Sequence, residues 1–406
     1  MGEWKAMRLG NVTTKIGSGA TPRGGSNAYI SEGISLIRSQ NILDFKFSED
    51  GLAHITEAQG NELSNVVVQE GDVLLNITGD SVARCCRAPQ HVLPARVNQH
   101  VAIIRADGRQ LINGYLFYQL IYQKPELLSI AEMGATRKAI TKAAIEQFEV
   151  CAPEPDEQRA IASVLSSLDA KIDLLHRQNK TLEAMAETLF RQWFVEEAEE
   201  GWRWVQLSEH IRVHRGLSYT GAGLCGPDEG VPMHNLNSVY EGGGYKYVGI
   251  KYYKGEYRER HVIKPGELII TNTEQGHDQL LIGCPAIIPR SLGEVGIFSQ
   301  HVYRIEMLNP LFTGVFVKHL VLTSAVREQL TGSTNGSTVN MLPADGIEMA
   351  KFQLPPDDKI KRFNEFALPL QAKQETNHEQ IKKLIALRDT MLPKLMSGEV
   401  RVKTEF

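Results

Sequence analysis

The chain has 406 residues, a formal net charge of −4 and 42% hydrophobic residues, which excludes a disordered protein and provides for two or more domains with their own cores. It has no run of about 18 apolar residues, and its first residues, MGEWKAMRLG, contain no apolar signal core, so we expect a cytoplasmic protein without membrane contact. The five cysteines form no C-x-x-C pair, which argues against a zinc site or a disulfide framework.

Residues 1–153 are predicted to form a mixed α/β domain. Short runs of β-branched residues bounded by Gly, Asn and Asp predict strands at 34–38, 66–68, 73–77 and 101–104. Apolar residues recur with helical spacing over 112–122, and Pro125 is predicted to end that helix.

Residues 154–200 are predicted to form a long helix that pairs with another helix. Apolar side chains keep a 4-3 spacing from Ile161 to Trp193, and some 40 helical residues would extend roughly 60 Å. The seam positions are Leu165, Ile172, Asn179, Leu182 and Leu189. Asn179 occupies a central position of this seam, where a buried polar residue typically fixes the register of two helices.

The rest of the chain repeats this plan. GDVLLNITG at Gly71 recurs as GELIITNTE at Gly266, and Gln99-His100 recurs as Gln300-His301. Residues 201–354 form the second α/β block, with strands predicted at 267–271, 284–288 and 301–305 and a helix at 311–322. The chain is therefore a tandem duplication of a unit of about 200 residues.

Residues 355–406 are predicted to form the second long helix and a tail. Its seam includes Gln374, Asn377, Ile381 and Leu384, and Pro369 is expected to kink it. Antiparallel pairing would bring Asn179 to Asn377 or Gln374. We predict an α+β fold: two similar mixed α/β domains separated by two long antiparallel helices that form a coiled coil. Two unrelated amphipathic helices, each packed on its own domain, are the alternative.

Catalytic signatures are missing from the sequence. It contains no phosphate-binding G-x-x-x-x-G-K-[ST], no H-E-x-x-H, no G-x-S-x-G and no strand-to-helix G-x-G-x-x-G. His100 and His301 could be ligands or bases, but polar strand residues with satisfied hydrogen bonds explain them better. We expect no active site and no metal site in this chain.

Two similar blocks held apart by a helical spacer could bind two elements of one extended ligand. Double-stranded DNA suits this plan, because half-sites about one helical turn (~34 Å) apart face the same side of the duplex. Arg, Asn and Gln side chains read base edges, whereas Lys, Ser and Thr grip phosphates. Both blocks have equal numbers of acidic and basic residues, which permits a basic face without demonstrating one.

Candidate DNA-binding residues lie in predicted loops of both blocks, at several equivalent turns. In the first block they are Arg23, Arg38, Gln40, Asn41, Asn76, Thr78, Arg84, Arg87, Arg137 and Lys138. In the second block they are Arg215, Tyr219, His234, Asn235, Asn237, Lys246, Tyr247, Lys251, Asn272, Thr273, Gln279, Asn335 and Asn340. For each residue, a solvated loop position is the competing interpretation, and tyrosines on an edge strand would equally explain the aromatic run 246–254.

The order of these motifs resembles the specificity (S) subunit of type I restriction-modification enzymes. The matching stretches are GSGATPRGG, GDVLLNITG, VNQHVAII, MGATRKAI and the long helix that begins PEPDEQRA, and the similarity spans nearly the whole chain. The second block lacks T-P-R-G-G and the T-R-K of 136–138, so its contacts carry over less directly.

The resemblance implies a non-catalytic reader of double-stranded DNA that recognises a bipartite, asymmetric sequence, one half per target-recognition domain. Two methyltransferase (M) subunits with S-adenosylmethionine and a restriction (R) subunit with ATP and magnesium would be its partners. The helices would set the spacing and dock partners, with Phe190, Trp193 and Phe194 as candidate contacts, although a core position on the seam explains Trp193 more simply. A twin-domain adaptor for a glycan or protein, and an enzyme with an unrecognised site, are the alternatives.

Overall fold

The computed structural model describes residues 4–132, 138–275, 278–336 and 339–402. The chain divides into two compact units. Unit 1 comprises Met1–Asp173 and Lys382–Phe406, and unit 2 comprises Leu174–Ile381. Each unit therefore takes residues from both long helices.

Unit 1 is a mixed α/β unit. Its strands are β1 (Lys5–Arg8), β2 (Thr13–Ser18), β3 (Ile34–Ile37), β4 (Ile42–Leu43), β5 (Lys46–Phe47), β6 (Ala53–Ile55), β7 (Val73–Asn76), β8 (Cys85–Arg87), β9 (Ala95–Val97), β10 (Val101–Ala106) and β11 (Glu149–Ala152). Its shorter helices are α1 (Leu9–Val12), α2 (Glu57–Glu62), α3 (Asn113–Tyr122), α4 (Lys124–Glu132) and α5 (Lys142–Gln147), and the long helix α6 (Pro155–Arg191) begins here.

An antiparallel sheet in the order β2-β10-β7-β8 forms the centre of unit 1. Successive side chains of a strand face opposite sides, so Leu75 packs in the cluster with helix α3 while Leu74 packs in a second cluster with β9. Both faces of β7 are thereby buried, which explains its continuous apolar sequence. A smaller sheet, β6-β3-β9, contains the parallel pair β3 and β9.

Unit 2 repeats this arrangement. Its strands are β12 (Trp204–Gln206), β13 (Ile211–Arg215), β14 (Leu224–Cys225), β15 (Val231–His234), β16 (Lys251–Tyr253), β17 (Val262–Ile263), β18 (Leu268–Thr271), β19 (Thr273–Gln275), β20 (Pro285–Ile287), β21 (Gly296–Phe298), β22 (Val302–Met307), β23 (Val339–Met341) and β24 (Lys351–Gln353). Its helices are α7 (Gly314–Leu322), α8 (Ser324–Gly332), α9 (Ala344–Glu348) and most of α10 (Asp357–Met396).

The central sheet of unit 2, β13-β22-β18-β20, has the strand order of the central sheet of unit 1. Its second sheet, β14-β16-β15-β21-β17, again contains one parallel pair, β15 and β21. The two halves of the duplicated sequence therefore fold alike, with a larger second sheet in unit 2.

The two long helices run antiparallel within each unit. In unit 2, Asn377 Nδ2 donates to Asn179 Oδ1 at 2.8 Å and Gln374 Nε2 donates to the Asn179 carbonyl at 3.0 Å, the contact that the heptad spacing predicts. In unit 1, Arg388 Nη1 lies 3.0 Å from Asp169 Oδ1. The predicted α+β fold class with paired long helices is confirmed.

One local prediction from the sequence was wrong. Residues 66–68 form no strand: a 3-10 turn covers Ser64–Val66, and Val67 makes a single bridge to Arg96. The helix predicted at 112–122 is present as α3 and ends at Tyr122, and Pro125 lies in the first turn of the next helix, α4, a position that proline tolerates because its missing N–H has no partner there. The helix assignment of α10 continues through Pro369, which lies on an exposed face where water can bond the freed carbonyl.

The end of α6 also differs from the expected exposed aromatic surface. Phe190 is 2% exposed and packs on Phe316 and Phe363 in the core of unit 2, and Trp193 and Phe194 are partly buried against the same core. Phe190 is therefore a core residue and not a partner contact. The seam residues Leu182, Leu189 and Leu384 are half-buried. No helix within the described residues is both long and apolar enough to span a membrane.

Candidate nucleic-acid interface

Several loops of unit 1 converge where the parallel strands β3 and β9 end. Parallel strands place the loops at their carboxyl ends on one edge of a sheet. Asn76 Nδ2 donates to the Ser39 carbonyl at 2.9 Å, and the Thr21 hydroxyl donates to Gln99 Oε1 at 2.5 Å. These bonds join the loops 19–23, 38–41, 77–84 and 98–100, which we call the loop edge of unit 1.

Exposed basic side chains lie on the loops of this edge. Arg23 and Arg84 are exposed. The Gly79 N–H donates to the carbonyl of Lys138 at 3.1 Å, which brings Lys138 to the same edge. Its ammonium lies 2.8 Å from Glu132, and this hydrogen bond raises the pKa of Lys138. The edge therefore presents cations whose charge suits a phosphate backbone.

Unit 2 has an equivalent loop edge, formed by the loops 216–219, 235–238, 272–273 and 299–301. The Gln300 N–H donates to the Leu217 carbonyl at 2.8 Å, and the Ser299 N–H donates to the His234 carbonyl at 2.9 Å. Lys251 Nζ donates to the Tyr219 hydroxyl at 3.1 Å. Burial, and then the charge of Lys251, lower the pKa of His301, which places Lys251 near this edge as well.

Matching glycines permit the close backbone approach at both loop edges. A Cβ on Gly19 would lie 1.8 Å from the carbonyl oxygen of Val97, and a Cβ on Gly216 would lie 2.1 Å from that of Ser299. Any side chain at these positions would force the loop off the strand end. The duplication has preserved this contact although the neighbouring loop sequences differ.

Two charged side chains hold the loop 278–282 of unit 2 through hydrogen bonds to its backbone. Glu274 is 8% exposed and accepts the N–H groups of Leu280 and Leu281, each at 3.0 Å. Arg327 Nη1 donates to the Ile282 carbonyl at 2.6 Å. Neither residue was among the candidates from the sequence: Glu274 ends the repeated stretch GELIITNTE but carries the wrong charge for a phosphate contact, and Arg327 lies in no repeated motif. Gln279 on this loop donates to the Thr334 hydroxyl at 3.1 Å.

Five predicted DNA-binding side chains lie in the interior. Asn41 and Asn76 are fully buried, with Asn41 Nδ2 donating to the Ser48 carbonyl at 2.9 Å. His234, Asn235 and Asn272 are at most 4% exposed. These side chains shape the loops: the amide nitrogens of the four asparagines donate to backbone carbonyls, and the His234 ring bonds a tyrosine. Their assignment as base-contacting residues is therefore corrected.

The ring of His234 illustrates this internal role. Its Nδ1 lies 2.7 Å from the Tyr245 hydroxyl. Burial lowers the pKa of His234 to about 3, so the imidazole is neutral at physiological pH. A neutral, enclosed ring cannot attract a phosphate.

The remaining candidates differ in their availability. Arg38 and Gln40 donate to the Gly51 carbonyl, and Arg87 lies over the Phe117 ring at 5.6 Å, away from the loop edge. Lys246 lies over the Tyr240 ring, and Tyr247 packs on His378 of α10 with ring centres 4.7 Å apart. Arg215, Asn237 and Asn335 are exposed, Thr78 and Tyr219 are half-buried, and Asn340 is 9% exposed. Arg137 lies outside the described residues.

Within the part of the chain that the structure describes, no group of three or more His, Cys, Asp or Glu side chains is placed to hold a metal ion. The chemistry that the two loop edges offer is hydrogen bonding and positive charge.

Comparison with known proteins finds one matching domain family and several related subunits. Residues 1–184 match the family described as the type I restriction modification DNA specificity domain. The MjaIX specificity subunit of a type I restriction enzyme from Methanocaldococcus jannaschii is 24% identical, over 99% of this chain and 94% of that protein. The HindI specificity subunit of Haemophilus influenzae is 25% identical over 48% of this chain and 42% of that protein.

A solved structure shows the same fold. The crystal structure of the S subunit of a type I restriction-modification system from M. genitalium matches with a TM-score of 0.62 and 14% identity, covering 97% of this chain and 96% of that one. The resemblance predicted from the sequence is confirmed: residues 1–184 match the type I restriction modification DNA specificity domain, and nearly the whole chain is similar to a type I specificity subunit.

Proposed function

We propose that each unit reads one half of a bipartite, asymmetric DNA sequence with its loop edge. The observation that carries this proposal is that one loop edge is built twice, on the same strand order, with different side chains around it. Unit 1 offers Arg23 and Arg84, whereas unit 2 offers Tyr219 and Lys251. Two similar frames with different surfaces suit the reading of two different half-sites.

In this proposal the long helices fix the distance between the half-sites and dock the partners. The supporting observation is that α6 and α10 each contribute residues to both units. Their antiparallel register is fixed by buried polar contacts such as Asn179 with Asn377. A spacer with a fixed register suits a fixed number of unread base pairs.

The proposed complex supplies the chemistry from other chains. Two methyltransferase subunits would bring S-adenosylmethionine, and a restriction subunit would bring ATP and magnesium, in the cytoplasm. This chain would act as the non-catalytic reader that selects the DNA. Support comes from the family match and from the relatives, which are named specificity subunits.

A DNA-binding measurement tests the proposal. The full-length chain would be co-expressed with its methyltransferase subunits, and methylome sequencing of the expression strain would identify the target. We expect binding to this duplex to weaken linearly with salt on a log–log scale, and Arg84→Ala to reduce the slope by roughly 0.9 if Arg84 contacts one phosphate. An affinity for DNA that does not depend on salt concentration, or a higher affinity for a glycan or protein than for DNA, would support the adaptor alternative instead.

Exchange of one block tests the division into half-sites. Residues 1–153 would be replaced with those of a relative of different specificity, and the methylome sequenced again. We expect one half of the recognised sequence to change while the other half and the spacer persist. A change in both halves would contradict the assignment of one half-site to each unit.

A further inference from the structure

The two loop edges share a threonine–histidine pair. Thr78 Oγ1 lies 2.6 Å from His100 Nδ1 in unit 1, and Thr273 Oγ1 lies 3.0 Å from His301 Nδ1 in unit 2. We propose that His100 and His301 each donate a hydrogen bond from Nε2–H to a DNA phosphate, as a contact independent of base sequence. This inference rests on the proposed function, since it names residues of the same interface.

The proposed contact requires one of the two arrangements that a threonine hydroxyl permits. When the hydroxyl donates to Nδ1, the proton of a neutral imidazole lies on Nε2, and that nitrogen becomes a donor. A phosphate oxygen only accepts hydrogen bonds. In unit 2 the side-chain amide nitrogen of Gln300 lies 3.3 Å from His301 Nε2, so the proposal requires this amide to turn away when the phosphate binds.

Hydrogen bonds fix the backbone of both histidines. The Ile77 N–H donates to the His100 carbonyl at 3.0 Å, and the Asn272 N–H donates to the His301 carbonyl at 3.2 Å. Each histidine directly precedes an inner strand of its central sheet, β10 in unit 1 and β22 in unit 2. Both are partly exposed. A partly exposed, rigidly placed donor loses little conformational freedom when it binds a ligand.

The distribution of shared and different residues indicates which part of DNA these histidines contact. Base readers must differ between two units that read different half-sites, as Arg23 differs from Tyr219. Phosphates are the same along every sequence, and contacts to them position a protein without specifying bases. A pair preserved in both copies at the loop edge therefore fits a phosphate contact.

A matched pair of substitutions distinguishes this role from loop support alone. His100→Asn places an amide near Nδ1, so it keeps a partner for Thr78 but lacks the outer donor. His100→Gln places its amide near Nε2, so it restores the outer donor but leaves Thr78 without its partner. The same pair is made at His301, and circular dichroism confirms that each variant is folded.

Binding would be measured with the full-length chain and its methyltransferase subunits, on the cognate duplex and on duplexes changed at each half-site base pair. We expect the Asn variants to lose roughly tenfold in affinity on every duplex and the Gln variants to stay within about threefold of wild type.

Provided that the wild-type protein binds DNA, two results would overturn the inference. In the first, the Asn variants keep wild-type affinity while the Gln variants bind more weakly. In the second, the variants change which duplex they prefer. The first result assigns the pair to loop support and the second to base reading. Wild-type protein that shows no affinity for DNA would instead overturn the proposed function itself.

Discussion

Arg388 is a buried cation in unit 1, 8% exposed. Its guanidinium lies 3.0 Å from Asp169 and 3.5 Å from the centre of the Phe45 ring, and the Tyr118 hydroxyl donates to the other oxygen of Asp169 at 2.6 Å. Burial raises the pKa of Tyr118, which stays a donor. The heptad spacing places Arg388 on the seam but does not reveal its aromatic and acidic partners.

Replacing Arg388 with methionine should destabilise unit 1 by about 3 kcal/mol, because Asp169 would keep a buried charge without a partner. The matched control is Arg159→Met, which breaks the exposed pair between Arg159 and Asp156 and should cost less than about 1 kcal/mol. Urea unfolding, monitored by hydrogen exchange of backbone amides in unit 1, measures the loss of stability in both variants. Equal losses would show that the buried pair contributes no more than an exposed one.

Unit 2 should lose stability in acid because it buries neutral histidines. Burial holds the pKa of His234 at about 3, below the 6.5 of the unfolded chain, so only the unfolded chain gains a proton as the pH falls from about 6.5 towards 3. His234 alone should lower the free energy of unfolding by about 2 kcal/mol between pH 7 and pH 5. His319, with its pKa lowered to about 4 by burial and by Lys318, adds to the same trend.

Thermal unfolding of His234→Gln at pH 7 and pH 5 checks this expectation. The variant should show a smaller loss between the two pH values than wild type. His91→Gln is the control, since the His91 side chain is 61% exposed. A pH dependence unchanged by His234→Gln would mean that other groups carry the acid sensitivity.

The candidate site could be predicted only in part, for a reason specific to amides and imidazoles. The repeat offset identified equivalent turns, and the paired Thr and His residues lie on them. Sequence could not tell that Asn41, Asn76 and Asn272 turn inward, because an amide bonds loop backbone as readily as a base edge. The contacts of Glu274 and Arg327 with the loop 278–282 could not be predicted, because only the fold brings these segments together.

At the scale of elements, the helix pair contains a polar layer in unit 2. Asn179 bonds both Gln374 and Asn377, and Gln374 Nε2 also donates to Glu183 at 3.2 Å. Glu183 lies 2.5 Å from Lys318, which is 5% exposed. Burial opposes the charge of Glu183, but Lys318 and its hydrogen bond bring its pKa below the usual value. The layer thus joins the helix pair to α7.

A double-mutant cycle on Asn179→Leu and Asn377→Leu tests this layer. Each single change should destabilise unit 2 by about 1–2 kcal/mol, because it leaves a buried amide without its partner. The double variant should recover much of this loss, giving a coupling above about 0.5 kcal/mol in urea unfolding. Additive losses would show that the two amides do not act as a pair.

Both long helices were predicted, and six of the seven predicted strands are present, but the shorter strands between them were not predicted. The heptad spacing covers dozens of residues in α6 and α10, so single exceptions such as Pro369 do not obscure it. Residues 66–68 read as a strand because Val-Val-Val favours extended backbone. A ladder also requires a partner segment, and only Val67 finds a bridge.

At the scale of the whole molecule, the proposed spacer makes a geometric prediction. Inserting one complete heptad into each long helix, at matched positions, preserves the seam and adds about 10 Å. We expect the unread spacer of the DNA target to lengthen by about three base pairs, at 3.4 Å per pair, while both half-sites are retained.

Methylome sequencing reads this outcome directly. The matched control inserts the heptad into α10 alone, which breaks the pairing of equivalent seam positions and should weaken binding to every spacer. An unchanged spacer in the variant with both insertions would rule out the helices as the element that sets the distance.

The division of the chain into units has a consequence for its synthesis. Leu392, Leu395 and Met396 are buried in the core of unit 1, together with Leu9 and Tyr115 from the beginning of the chain. Unit 2 is one continuous segment. On the ribosome, the core of unit 1 is therefore completed only after residues 392–396 are translated, so unit 2 can fold before unit 1, although domains usually fold in order from the N-terminus.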